Sequence, residues 1–140
     1  MELLDHYGID LTGKRVTIVG RSLVVGKPLM LMMLAKNATV TVCHTRTADL
    51  SAECRRADIL VACVGKAKMI DASYVREGQI VVDVGINVDE AGNLCGDVDY
   101  ESVSAIVEAI TPVPRGVGSI TTAVLLKHVT KCAERSAETN

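Results

Sequence analysis

Short apolar runs recur along this chain, and amphipathic segments fill the intervals between them. From Val16 onward, runs of four to six apolar residues alternate with stretches of helical periodicity, the pattern of repeated strand–helix units joined by crossover connections. The runs predict strands over 15–19, 39–43, 59–64 and 80–84, with a short final strand over 109–111. Helical spacing or start signals predict helices over 28–35, 50–56, 72–76, 100–108 and 121–134, with Ser51 and Asp71 as N-caps. Residues 2–7 read as a short helix ending at Gly8, residues 87–97 as a surface hairpin or loop, and residues 136–140 as a frayed tail. The fold class that follows is α/β: a doubly wound, mostly parallel sheet with helices on both faces.

Composition narrows the function. The 140 residues suit one domain, and a hydrophobic content of 49% is enough for a core without disulfides or structural metal. Phe and Trp are absent and Tyr occurs three times, which argues against a platform that stacks nucleic-acid bases. A formal net charge of −2 leaves no broad basic surface, so an anion site has to be local. Cys43, Cys54, Cys63, Cys95 and Cys132 form no C-x-x-C pair and read as buried thiols of a reduced, cytoplasmic protein. The apolar run 29–34 is too short to span a bilayer, so neither a membrane nor a nucleic acid is expected as a partner, and no metal.

Two glycine-rich loops carry the candidate chemistry. In Val16-Thr-Ile-Val-Gly-Arg-Ser-Leu-Val-Val-Gly-Lys-Pro28 a strand breaks at a glycine and runs into a helix expected to start on proline. Such a junction offers bare backbone N–H groups to an anion, and Arg21, Ser22 and Lys27 add charge and a hydroxyl. Gly20 and Gly26 have five residues between them, which is not the G-x-G-x-x-G spacing, so a tight turn that binds nothing is the competing reading. At the end of the second strand an NAD site usually keeps an acidic residue for the ribose 2′-hydroxyl. This chain has Cys43-His-Thr-Arg-Thr47, and Thr45 and Arg46, with Arg21 across the turn, favour the 2′-phosphate of NADP. His44 reads as a polar loop residue.

Asp83, inside an apolar strand, requires partners and is expected to accept N–H bonds from a neighbouring turn. Gly85, Ile86 and Asn87 then fall at the sheet's carboxyl edge. The second loop, Ile110-Thr-Pro-Val-Pro-Arg-Gly-Val-Gly-Ser-Ile-Thr121, leads into the last helix with Ser119, Thr121 or Thr122 as its cap and is expected to face substrate; a rigid connector is the alternative.

With these residues assembled, the chain resembles the cofactor-binding part of the bifunctional methylenetetrahydrofolate dehydrogenase/cyclohydrolase family. The matching segments are Tyr-Gly-Ile-Asp-Leu-x-Gly-Lys at 7–14, Gly-Arg-Ser-x-x-Val-Gly-Lys-Pro at 20–28, Ala-Thr-Val-Thr at 38–41, Cys-His-Thr-x-Thr at 43–47, Ala-Asp-Ile at 57–59, Asp-Val-Gly-Ile-Asn at 83–87, Gly-Asp-Val at 96–98 and Thr-Pro-Val-Pro-x-Gly-Val-Gly at 111–118. The resemblance implies a Rossmann-type domain at 15–135 after a lead-in at 1–14, paired in the family with an N-terminal folate domain that holds the catalytic lysine and is expected to precede Met1. It implies NADP as cofactor, held by Gly20, Arg21 and Ser22 at its pyrophosphate and 2′-phosphate side, by Thr45, and by Ile86 at the nicotinamide end. It implies that Pro114, Arg115, Gly116, Val117 and Gly118 face the folate substrate, and that the full-length protein is a cytoplasmic homodimer of one-carbon metabolism. The domain alone is expected to bind cofactor without catalysing. Three departures stand out: Arg115 where the family usually has Gly, Ser119-Ile120 where it has Pro-Met, and Ala67 where it has Pro. The alternatives are a noncatalytic Rossmann-like interaction module and a domain of another NAD(P)-dependent dehydrogenase.

Overall fold

The computed structural model describes residues 1–138. Five strands, β1 (Arg15–Val19), β2 (Thr39–Cys43), β3 (Ile59–Ala62), β4 (Ile80–Asp83) and β7 (Ala109–Ile110), form one sheet in the order β2-β1-β3-β4-β7. Every pairing in it is parallel. A separate antiparallel ribbon, β5 (Asn87–Val88) with β6 (Leu94–Cys95), follows β4, as the turn residues of 87–97 led one to expect.

The sheet is buried on both faces, which explains its near-continuous Val/Ile/Leu runs. Alternation divides the residues: Val16, Ile18, Ile59, Val61 and Val82 face one core, whereas Val19, Leu60, Ala62 and Val81 face the other. On the first face lie α1 (Glu2–His6) and α2 (Gly26–Leu34), through Leu4 and Met33. On the second lie α3 (Leu50–Arg56), a 3₁₀ turn (Ala72–Tyr74) and α4 (Tyr100–Ser104), through Cys54, Val75 and Val103. Thr17 also faces this side, and its hydroxyl donates to the Glu53 carbonyl at 3.0 Å. Among the described residues, no buried side-chain nitrogen or oxygen lacks a partner.

Several boundaries move for local reasons. Helix α3 is capped by Asp49 rather than Ser51, since the Asp49 carboxylate accepts the Ala52 N–H at 2.9 Å and the Ser51 hydroxyl at 3.1 Å. Asp71 does cap its turn, accepting from Ser73. Strand β3 stops at Ala62 because the Val64 N–H turns to the Asp97 side chain. The helix predicted over 100–108 closes at Ser104. The last helix, α5 (Val117–Glu138), starts four residues before its predicted first residue and ahead of all three candidate caps, and the Thr121 hydroxyl donates back to the Val117 carbonyl. The part of the expected frayed tail at 136–138 is helical, and 139–140 lie outside the described residues.

The thiols also divide. Cys43, Cys54 and Cys95 are buried and Cys63 half-buried, but Cys132 is exposed on α5, against the expectation that all five are interior.

Candidate active site at the carboxyl edge of the sheet

The strand order reverses at β1: the chain moves from β1 to β2 on one side and returns to β3 on the other. Open α/β sheets bind ligands in the crevice beyond the carboxyl ends of strands at such a point. Here its walls are the turn after β1 and the segment after β3. They touch closely, since a Cβ on Gly20 would collide with the Cys63 carbonyl, and Gly20 itself takes φ +125°, a conformation open to glycine.

The turn after β1 is organised by Ser22. Its hydroxyl oxygen accepts the Val25 N–H at 3.0 Å and, weakly, the Gly26 N–H at 3.5 Å, while its carbonyl accepts the Lys27 N–H at 3.0 Å. Helix α2 therefore begins at Gly26, two residues before the proline expected to open it, and its first donors are consumed internally. The donors left over lie one step earlier. The N–H groups of Arg21, Ser22, Leu23 and Val24 have no acceptor among the described residues, and all four residues are exposed. Such a succession of free donors has the chemistry of an anion cradle. Neither Arg21, Lys27 nor Arg46 has an ion-pair partner among the described residues.

Beyond β2, residues 44–47 form a tight turn. The His44 N–H donates to the Thr47 hydroxyl at 2.9 Å, and the His44 Nδ1 accepts the Arg46 N–H at 3.1 Å. This occupies His44 in the loop and leaves Thr45 exposed at the same sheet edge. No carboxylate stands in this turn.

Beyond β4, the structure brings Ile86 and the 112–118 loop together: Asp83 to Ile86, Leu94 and Pro112 to Ser119 line a cleft of about 280 Å³. Ile86 is 69% exposed. Arg115 holds φ +76° after the cis Val113–Pro114 bond, and its guanidinium has no partner among the described residues. Gly20 to Ser22 and Thr45 do not line this cleft; they lie further along the edge, over β1 and β2. A larger cavity of about 880 Å³ lies between α1, α5 and the β4–β7 side of the sheet; Arg115, Gly116 and Ser119 line it as well, but Gly20 to Ser22, Thr45 and Ile86 do not.

Asp83 holds the loop after β4. It accepts the Gly85 N–H at 2.9 Å, the Asp97 N–H at 3.1 Å and the Val98 N–H at 2.9 Å, the structural role expected for it. Burial still pushes its carboxyl above the usual range, with the nearby Asp97 charge adding to that and the three N–H groups opposing it. Asp97 is the residue that sequence reasoning passed over. It is fully buried, and its only signal was its place between Gly96 and Val98 in a turn-rich run.

Comparison with known proteins gives the family. Residues 1–137 match the family described as tetrahydrofolate dehydrogenase/cyclohydrolase, NAD(P)-binding domain. The chain is 55% identical over 134 residues to the bifunctional protein FolD of Clostridioides difficile, covering 96% of this chain and 47% of that protein. It is 58% identical over 136 residues to FolD of Carboxydothermus hydrogenoformans, with coverage of 96% and 47%. The FolD methylenetetrahydrofolate dehydrogenase/cyclohydrolase structure from Campylobacter jejuni superposes with a TM-score of 0.93 at 48% identity, covering 96% of this chain and 48% of that one. The Trypanosoma brucei enzyme, solved with NADP cofactor and inhibitor, gives a TM-score of 0.89 at 35% identity, with coverage of 98% and 49%. The chain thus spans about half the length of these relatives. A Rossmann-type sheet, a free-donor turn at its switch point and a match along nearly its full length together establish that this chain belongs to the tetrahydrofolate dehydrogenase/cyclohydrolase family, as its NAD(P)-binding domain.

Proposed function

We propose that this chain is the NADP-holding half of an enzyme that oxidises 5,10-methylenetetrahydrofolate and hydrolyses the resulting 5,10-methenyl form to 10-formyltetrahydrofolate. The observation that carries the cofactor choice is the succession of free N–H donors at 21–24 beside unpaired cations, with no acidic residue in the 44–47 turn after β2. An acidic residue there would favour the 2′-hydroxyl of NAD; its absence, with guanidinium groups at hand, favours a 2′-phosphate.

In this reading Gly20, Arg21 and Ser22 hold the pyrophosphate and 2′-phosphate side, and Thr45 offers its hydroxyl beside them. The Ser22 oxygen is already an acceptor for α2, so its proton is the group free to donate to a phosphate oxygen. Ile86 covers the nicotinamide end with an apolar surface, and Pro114, Arg115, Gly116, Val117 and Gly118 form the wall that meets the folate. Bound NADP supplies the hydride acceptor. The contribution of this half is to place that acceptor and fix its orientation. Its cleft offers no free carboxylate, because the Asp83 oxygens are engaged by backbone N–H groups. The proton-transfer groups and most folate contacts then belong to the part of the relatives that this chain does not span, and the complete protein is proposed to be a homodimer.

Arg21→Ala tests the assignment. It should weaken NADP binding more than NAD binding, measured by calorimetric titration of the 140-residue chain; equal losses would remove Arg21 from 2′-phosphate recognition. Sedimentation of a full-length protein at several concentrations would check the dimer.

A further inference from the structure

Asp97 is a buried carboxylate with no cation to pair with. It is 0% exposed, and none of the ion pairs among the described residues involves it. Its charge is balanced by N–H dipoles alone. One oxygen accepts the backbone N–H groups of Val64 at 2.6 Å and Gly65 at 3.0 Å; the other accepts the Lys66 N–H at 2.8 Å and the Asn87 side-chain amide at 2.9 Å. Burying an ion without a counter-ion is costly. What the four bonds do is fix the loop after β3 to the ribbon after β4, across more than thirty residues of chain for the three backbone bonds.

The place of that loop gives the bond set its meaning. Residues 63–66 follow β3 at the switch-point crevice, and Cys63 at their start presses against Gly20. Asn87 lies one residue after Ile86, beside the 280 Å³ cleft. Space around the carboxylate is already filled, since a Cβ on Gly85 would collide with Asp97. Resting on the NADP reading above, we infer that Asp97 is a positioning residue for the cofactor: it touches none of it and sets the backbone of the 64–66 wall, and the Ile86 end, at the distance the dinucleotide needs.

Asp97→Asn keeps the shape and turns an amide NH₂ toward two of the four donors. The expected result is that this variant of the 140-residue chain, kept well below its melting temperature, binds NADP about tenfold or more weakly. Amide hydrogen exchange of Gly65 and Lys66 should quicken while the β1 amides stay protected. Gln79→Met is the control, because Gln79 is equally buried at the other edge of the sheet, where its amide donates to the Cys54 and Ala57 carbonyls. It should lower the melting temperature and leave the NADP Kd within about twofold of wild type. An Asp97→Asn Kd within twofold of wild type, or an equal loss in both variants, overturns the inference. If wild type itself does not bind NADP, the cofactor reading fails and this one goes with it. Should Asp97→Asn not fold, wild-type exchange decides. Gly65 and Lys66 amides should exchange about a hundredfold slower than Ala67, whose N–H has no acceptor among the described residues, and NADP should slow them further. Rates like that of Ala67, or rates indifferent to NADP, overturn it.

Discussion

Arg115 sits in a local conflict. Its φ of +76° is left-handed, where a Cβ costs roughly 1–2 kcal/mol and glycine pays nothing. Arg115→Gly removes that cost but adds freedom to the unfolded chain, worth about 0.4–1 kcal/mol in the opposite sense. The expected balance is a small gain, read as a melting temperature equal to or a few degrees above wild type; a clear fall would mean that the guanidinium makes a stabilising contact. Gly96 is the opposite case, because a Cβ there would run into the Asp83 carboxylate. Gly96→Ala should therefore cost about 3 kcal/mol or more in chemical denaturation, since both the overpacking and the displaced N–H bonds count. Thiol labelling separates the cysteines. Burial pushes the Cys54 thiol up to about 12 and Cys63 up to about 11, and the Cys63 S–H donates to the Val19 carbonyl at 3.2 Å. Native protein at pH 8 should therefore label quickly at exposed Cys132 and slowly at Cys54 and Cys63 until it unfolds.

At the scale of elements, what the sequence made legible was what local chemistry decides. The five strands, α3 and the 87–97 ribbon follow from apolar runs, cap residues and turn residues. Two of the boundaries moved because a side chain captured a backbone donor. Helix α2 opens early because Ser22, four residues before it, takes its first N–H groups, and β3 stops early because Asp97 takes the Val64 N–H. The Asp49 cap is a short-range lesson: two candidate caps lay two residues apart, and the one whose oxygen reaches the Ala52 N–H prevailed. Its pH signature is predictable. The Ala52 N–H, with the Ser51 hydroxyl, holds the Asp49 carboxyl below its ordinary value of 3.8. A lowered folded pKa means stability that is present above that ordinary value and lost as pH falls through the folded one. Asp49→Ala should accordingly melt lower than wild type at pH 7, and the two should converge in strong acid; a constant gap across that range would refute the linkage. The candidate-site residues were legible singly, as glycines, hydroxyls and cations near strand ends. Their division between a cradle over β1 and β2 and a cleft over β4 was not, because strand order is set by tertiary packing. Asp97 was not legible either, since nothing near it in sequence reveals the loop it holds.

In the whole molecule a parallel sheet buried on two faces reverses its strand order at β1, and the free N–H donors of residues 21–24 stand where that reversal leaves a crevice. Among the described residues no helix is long and apolar enough to cross a membrane. Helix α5 contributes no buried residue, and Leu125, Leu126 and Val129 on it remain more than half exposed, so the domain's core is complete without its far end. The central claim is that the cradle selects a dinucleotide bearing a 2′-phosphate, and thermal unfolding of the 140-residue chain with each dinucleotide tests it most directly. Excess NADP, at about a hundred times its Kd, should stabilise the fold by roughly 2.7 kcal/mol, seen as a rise of about 5–10 °C, with NAD at the same concentration giving a clearly smaller shift. A melting temperature that neither dinucleotide moves, or that NAD raises as far as NADP, would contradict the account.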